Sequence, residues 1–231
     1  MGRHFATLLM AAVLGGCSML TAEAPLFSPA DQIGPPPLTE GVWIVVGEDC
    51  PASYARRRSG RFPEGCTPME IRRLEDGAWQ AGVRVDLIAN LSPSARAEAE
   101  AQTASGPFRM LLVPAVENAA SDAYAPLYVA ELTPRAAGET IGYAVLAPIG
   151  TMPSTTALVV LSVGCTDILR QGPIDGVAER HGTRIDDSGI AHDELEGCVA
   201  STQAGVREAA RRAVIENLDE MVERRLVYVR P

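Results

Sequence analysis

Four short apolar segments in the middle of the chain constrain the fold more than any other feature. They are rich in Val, Leu, Ile and Tyr, they are separated by Pro, Gly, Ser and Asn, and they cover Phe108–Val113, Leu127–Leu132, Ile141–Ala147 and Ala157–Val163. Segments of this composition and length are typical of β-strands. Because no helical pattern lies between them, we expect consecutive strands to pair in the antiparallel direction.

More strands and a short helix are predicted upstream. Val42–Val46 is an apolar run that ends at a glycine, and it reads as a buried strand. The alternating runs 69–74 and 78–85 flank Asp76-Gly77, a pair typical of hairpin turns. Ser92 before Pro93 predicts a helix that continues to about Gln102, with the serine as its N-cap.

The clearest helical pattern comes at the C-terminal end. Between Thr202 and Arg225 the apolar residues recur near a 3.6-residue period. They are Val206, Ala209, Ala210, Ala213, Val214, Leu218, Met221 and Val222. Leu226–Val229 then predicts a last strand at the edge of the sheet. The expected fold class is α+β, with a mainly antiparallel sheet, one long C-terminal helix packed on it, and a single domain over residues 41–231.

The first residues have the layout of an export signal. Arg3 precedes a ten-residue apolar run, Phe5–Leu14, which ends at small residues. This run is shorter than the roughly 20 residues that a transmembrane helix needs. The sequence Leu14-Gly15-Gly16-Cys17 resembles the lipobox of bacterial lipoproteins, and the resemblance covers only about residues 1–20.

This resemblance implies a processing pathway and a location. Residues 1–16 would be a cleaved signal peptide, and Cys17 would carry a diacylglyceryl group and an acylated amino group. Two or more acyl chains hold a protein firmly on a membrane, whereas one chain does so only marginally. Ser18 after the cysteine favours the outer membrane over the inner one. The implied location is the cell envelope, lipid-anchored and facing the periplasm.

Residues 17–40 are predicted to form a proline-rich tether behind the lipidated cysteine. They include Pro25, Pro29 and Pro35–Pro37, and proline favours the extended polyproline II conformation. At about 3.1 Å per residue, such a segment could hold the domain up to roughly 70 Å from the bilayer. Leu26, Phe27 and Ile33 are the side chains that could dock on the domain and shorten this reach.

The remaining four cysteines predict two disulfides, because an even number is typical of an oxidising compartment. Three pairings are possible, and we favour the two that are local in sequence, Cys50–Cys66 and Cys165–Cys198. Thr166–Gly197, between the second pair, is polar and is expected to be a long surface excursion. His181 and His192 lie in that excursion, but their spacing matches no short paired-ligand zinc pattern.

Four arginines stand out in a chain whose net charge is −9. Arg56, Arg57, Arg58 and Arg61 lie inside the Cys50–Cys66 loop, and guanidinium groups suit phosphate or carboxylate oxygens. They are candidate anion-binding residues for an anionic envelope component or an acidic protein. The alternative is a solvated loop whose arginines pair with the protein's own acids. The acidic balance of the whole chain argues against nucleic-acid binding.

The sequence contains little that points to catalysis or to a cofactor. There is no Gly-x-Ser-x-Gly elbow, no phosphate-cradling glycine loop and no dinucleotide fingerprint. The acids at Asp186, Asp187, Asp193, Glu194 and Glu196 do not follow the EF-hand calcium spacing. We therefore predict no cofactor, no metal and no catalytic residue.

Three functional hypotheses follow from these observations. The first, which the sequence favours over an enzyme, is a non-catalytic binding or structural module anchored in the cell envelope. The second is a periplasmic hydrolase that uses His181 or His192 with nearby acids. The third is a carrier of a small apolar ligand in a pocket between the sheet and the helix.

Overall fold

The computed structural model describes residues 19–32, 38–46, 50, 53–54, 61–63, 65–103, 106–115, 127–134, 140–149, 157–185, 188–216 and 225–229. Eleven strands and three α-helices lie within these residues. The strands are β1 (Leu20–Ala22), β2 (Gly41–Val46), β3 (Thr67–Arg73), β4 (Trp79–Val83), β5 (Phe108–Pro114), β6 (Tyr128–Thr133), β7 (Ile141–Ile149), β8 (Ala157–Ser162), β9 (Val177–Ile185), β10 (Ala191–Ala200) and β11 (Arg225–Tyr228). The helices are α1 (Pro93–Gln102), α2 (Cys165–Leu169) and α3 (Gln203–Glu216).

Eight of these strands form a closed antiparallel barrel. Around the barrel their order is β6, β5, β4, β3, β2, β11, β8 and β7, and β7 pairs back onto β6. The short strand β11 makes the closure possible, because Leu226 pairs with Val45 of β2 on one side and with Leu158 of β8 on the other. Closure removes the free strand edges that an open sheet would expose.

The barrel interior is filled by apolar side chains that alternate along each strand with outward-facing ones. It contains Trp43, Met69, Ile71, Trp79, Ala81, Met110, Leu112, Tyr128, Ala130, Leu132, Ala144, Leu146, Leu158 and Leu226. Trp43 is fully buried and packs against the ring of Tyr228 at a centroid distance of 5.4 Å. Gly41 has a φ of 135°, and a Cβ there would collide with that same tyrosine ring. An eight-stranded barrel is just wide enough for side chains to fill it.

Two further apolar layers cover the outside of the barrel. On one side, α3 places Val206, Ala209, Ala210 and Ala213, all fully buried, in a cluster that includes outward side chains of β5 to β8. On the other, Cys50, Phe62 and Cys66 form a small cluster with Ile44 of β2. Both faces of several strands are therefore buried, which explains their continuous apolar sequences.

The three strands outside the barrel form an extension of the same sheet. β1 pairs antiparallel with the start of β7 and parallel with β10, and β10 forms a hairpin with β9. Part of the predicted tether thus belongs to the fold, because β1 is paired on both sides and Phe27 is buried. The expectation that Leu26 and Phe27 dock on the domain matches this packing, whereas Ile33 lies outside the described residues.

The predicted fold class is wrong. The protein is mostly β, a closed barrel with three added strands and small helices, and not an α+β sheet with one long helix across a face. The C-terminal helix is described from Gln203 to Glu216, and Arg225, predicted as its last residue, begins β11. β11 itself is not an edge strand, because it lies between β2 and β8.

Local predictions agree better with the structure than the global one. The predicted hairpin around Asp76-Gly77 is β3 and β4, and the four central strands lie within two residues of their predicted limits. Ser92 caps α1 by accepting a hydrogen bond from the backbone N–H of Ala95 at 3.1 Å. In the described part of the chain, no helix is both long and apolar enough to cross a membrane.

Candidate interaction site

The structure places only some of the predicted site residues. Cys17, Arg56, Arg57 and Arg58 lie outside the described residues. Arg61 is exposed next to the buried Phe62. Both disulfides are present and join the cysteines that the sequence analysis paired, Cys50 with Cys66 and Cys165 with Cys198.

The region predicted as a loop excursion is instead a protruding hairpin. β9 and β10 pair over most of their length, and nearly all of their residues from Glu179 to Leu195 are exposed or half-buried. β9 is the last strand of the sheet, so its outer edge has no neighbouring strand within the described residues. We call this part of the hairpin, residues 179–185 and 188–196, the arm.

The base of the arm is held by three features. The Cys165–Cys198 disulfide ties β10 to α2. The pairing register shifts between Leu195 and Gly197, as in a β-bulge, which bends and twists a strand. Arg212 of α3 donates hydrogen bonds to the carbonyl oxygens of Ile168 and Gly172, which packs the helix against the segment leading into β9. The base of the arm is therefore held by covalent and hydrogen-bonded contacts with α2 and α3.

Two isoleucines at the tip of the arm are unusually exposed. Ile185 is 69% exposed and Ile190 is 57% exposed. They stand at the paired ends of the two strands, since Ile185 lies opposite Ala191. Single exposed apolar residues are common, whereas here two of them lie at the end of one projecting hairpin.

One face of the arm carries a histidine between two carboxylates. His181 Nε2 lies 2.8 Å from Glu179, and its Nδ1 lies 3.1 Å from Asp193. Both contacts are hydrogen bonds only when both ring nitrogens carry protons. The hydrogen bond with Glu179, followed by the charge of Asp193, accordingly raises the pKa of His181 above its ordinary value.

The other face of the arm carries exposed ion pairs. Arg180 lies 3.7 Å from Glu196, and Arg184 lies 3.8 Å from Glu194. Gly182 leaves room for the Glu196 side chain, because a Cβ there would collide with its carboxylate. The described arm has four carboxylates against two guanidinium groups, so it is net acidic. Exposed pairs of this kind contribute only about 0–1 kcal/mol each.

The arrangement offers little for catalysis or metal binding. Both ring nitrogens of His181 are engaged by carboxylates, which leaves neither one for a substrate. His192 is also exposed, opposite Arg184 on the neighbouring strand. Among the described residues, no group of three or more His, Cys, Asp or Glu is arranged to hold a metal ion.

A second feature, which the sequence analysis missed, is the buried carboxylate of Glu131. This side chain is 1% exposed and lies on the outer face of β6. Its Oε2 accepts hydrogen bonds from the backbone N–H groups of Leu26 at 2.8 Å and Phe27 at 3.2 Å, and from the hydroxyl of Tyr143 at 3.2 Å. The only signal in the sequence is one acid within an otherwise apolar strand.

Glu131 anchors the N-terminal segment at a cost. Burial raises the pKa of Glu131, although the three hydrogen bonds oppose this effect. Its Oε1 has no hydrogen-bond partner among the described residues. Around it, the ring of Phe27 meets that of Tyr143 edge-on at 6.4 Å, and the guanidinium of Arg207 lies 5.3 Å from the Phe27 ring. The segment is thus held by specific contacts.

A shallow groove of about 460 Å³ lies at the base of the arm, beside this segment. It is lined by Glu23, Ala24, Leu26, Gly176, Val177, Ala178, Val199, Ala200 and Ser201. The lining contains one carboxylate and no histidine, so the groove has no pair of groups for acid–base chemistry.

Comparison with known proteins gives no relative. The chain matches no protein-family model, no curated protein and no solved structure.

Replacing Glu131 should separate its role as a hydrogen-bond acceptor from the effect of its ionisation. Glu131→Leu should destabilise the fold by about 1–3 kcal/mol for each backbone N–H that is left without an acceptor. Glu131→Gln keeps an acceptor oxygen and should cost less. Because the pKa of Glu131 is raised, its side chain contributes fully to the free energy of unfolding below about pH 4.5. That contribution is lost as the pH rises through the folded-state pKa. Urea unfolding of both variants and of the wild-type protein from pH 4 to pH 8 measures this free energy. The Glu131→Gln variant should become more stable relative to wild type as the pH rises. A difference in free energy of unfolding between Glu131→Gln and wild type that stays constant with pH would contradict the raised pKa.

The His181 cluster should titrate above an ordinary histidine. We expect an NMR titration midpoint above about 6.5 for His181, and a lower one in Glu179→Gln and Asp193→Asn. The stabilisation of the arm from this cluster should be present below about pH 6.5 and lost as the pH rises through the folded-state pKa. Thr183→Ala, on the same face, is the matched control and should leave the midpoint unchanged. A His181 midpoint that is unchanged in both Glu179→Gln and Asp193→Asn would show that these carboxylates do not raise its pKa.

Proposed function

We propose that this protein is a lipid-anchored, non-catalytic binding module of the cell envelope that contacts its partner through the arm. The anchor rests on the lipobox resemblance at Leu14–Cys17, and the proposed location is the outer membrane, facing the periplasm. The observation that carries the binding role is the arm itself, a braced hairpin with two exposed isoleucines at its tip. A hairpin exposed on both faces contributes little to the core, so its length calls for another explanation.

The charge of the arm indicates the kind of partner. Its carboxylates outnumber its guanidinium groups, so a partner with a basic surface is favoured by electrostatic complementarity. The exposed edge of β9 offers backbone N–H and C=O groups to an added strand, a common mode of peptide recognition. The anionic partner predicted from the sequence is a separate proposal, because it would bind the basic residues Arg56, Arg57, Arg58 and Arg61 and not the acidic arm.

The two alternative functions have less support. For the hydrolase, His181 and His192 lie on an exposed hairpin, and His181 has no ring nitrogen left for a substrate. For the carrier, the proposed pocket lies between sheet and helix, where Ala209, Ala210 and Ala213 are fully buried. The closed barrel is compatible with a carrier, but its interior is occupied by two tryptophans and other large side chains.

The anchor is tested by changing the cysteine. Cys17→Ala should abolish both metabolic labelling with a radioactive fatty acid and flotation with membranes, because no thiol remains to be acylated. Ser18→Ala is the matched control and should keep both. Persistent labelling and flotation of the Cys17→Ala protein would end the assignment.

The arm is tested by photo-crosslinking in intact envelopes. A crosslinker at Ile185 should capture one protein with a basic surface, whereas one at Ile215, an isoleucine 49% exposed on α3, should not. With the crosslinker at Ile185, Ile190→Ser should lower the yield at least about tenfold, because an isoleucine buried at an interface contributes about 1.5–3 kcal/mol. Glu194→Gln with Glu196→Gln should lower it further at low salt. Equal capture from both crosslinker positions would refute the arm as the contact.

A further inference from the structure

The chain next to the predicted lipidation site is fixed in the fold. Leu20 is fully buried, and its backbone N–H donates to the carbonyl of Val163 at 2.9 Å. The carbonyl of Met19 accepts a hydrogen bond from the N–H of Cys198 at 3.3 Å, and Met19 forms a β-bridge with Gly164. The described part of the domain therefore already includes Met19, well before the predicted end of the tether near residue 40.

This leaves a very short reach between the lipid and the domain. Only Ser18 separates Cys17 from Met19, and two fully extended residues span about 7 Å. A free tether over residues 17–40 would instead allow tens of ångströms. Because acyl chains on Cys17 would hold that residue at the membrane surface, Met19 would lie within about 10 Å of the headgroups.

We propose that the domain face around Met19 lies directly against the bilayer. This inference rests on the proposed lipid anchor. The face includes the start of β1, Gly164, the exposed Thr166 of α2 and the exposed Arg170 that follows this helix. Its partner is the lipid headgroup layer, and the contact is imposed by the short covalent connection, not by an apolar patch.

The barrel order identifies the surface that faces away. β1 pairs with β7, whereas β4, which precedes α1 in the chain, lies three strands away around the barrel. Ala97 on α1 is exposed and serves as the comparison position remote from β1 in the strand order. The strand directions also place the arm, because β10 runs parallel to β1 and its tip points the same way as the chain toward Cys17. The arm therefore lies on the same side of the domain as the chain that leads to Cys17.

Tryptophan quenching in vesicles tests this orientation. The native Trp43 and Trp79 are 0% and 2% exposed inside the barrel, so they add a constant background. Thr166→Trp and Ala97→Trp would be prepared in the processed, acylated protein and bound to vesicles of phosphatidylethanolamine and phosphatidylglycerol with headgroup nitroxide lipids. We expect at least threefold stronger quenching at position 166 than at position 97. Equal, weak quenching at both positions in protein that floats with the vesicles would overturn the inference.

A lengthened connection is the control for the cause. Twelve Gly/Ser residues inserted between Ser18 and Met19 add about 20 Å of average reach. Quenching at position 166 should then fall to the level of position 97, while flotation stays unchanged. Unchanged quenching after insertion would overturn the short connection as the cause of the contact. Protein that fails to float at all would count against the proposed anchor, and that outcome is distinguishable from a floated but unquenched domain.

Discussion

Closure of the barrel by β11 is the constraint on which the rest of the structure depends. Four residues, Arg225–Tyr228, pair with β2 on one side and β8 on the other. Without this strand, β2 and β8 would both be open edges, and the apolar interior around Trp43 would meet water. Each tryptophan side chain removes roughly 150–250 Å² from water, which at about 25 cal/mol per Å² is worth about 4–6 kcal/mol. The closing strand is short, but the core that it encloses is large.

A closed barrel with apolar residues on both faces of its strands needs an outer cover. α3 supplies much of it with small side chains, since Val206 and the alanines that follow it let the helix approach the strands closely. The N-terminal segment supplies more, through Phe27 and the hydrogen bonds that Glu131 accepts from the backbone. Burying this carboxylate is unfavourable in itself. The hydrogen bonds with two backbone N–H groups and the Tyr143 hydroxyl offset part of that cost, and they specify where the segment lies.

The same packing links the fold to the proposed function. Because Leu20–Ala22 are part of the sheet, the arm has a defined direction relative to the start of β1. β1 runs parallel to β10, so a single register relates the start of β1, the Cys165–Cys198 disulfide and the arm. A protein on a long free tether would sample many orientations. Here the pairing of β10 with β1 and the Cys165–Cys198 disulfide hold the base of the arm on one side of the barrel.

The sequence by itself determined the local elements, namely the hairpin at Asp76-Gly77, the cap at Ser92 and the central strands, and it favoured the two cysteine pairs that the structure contains. These depend on turn chemistry, alternation and short separations, which are written in neighbouring residues. The tertiary structure alone decided that the sheet closes and that β11 lies between β2 and β8. It also decided that 166–197 contains a projecting hairpin and that Glu131 accepts hydrogen bonds from Leu26 and Phe27. Each of those features joins residues far apart in the chain, and a pattern within one segment specifies that it is a strand without specifying its neighbours.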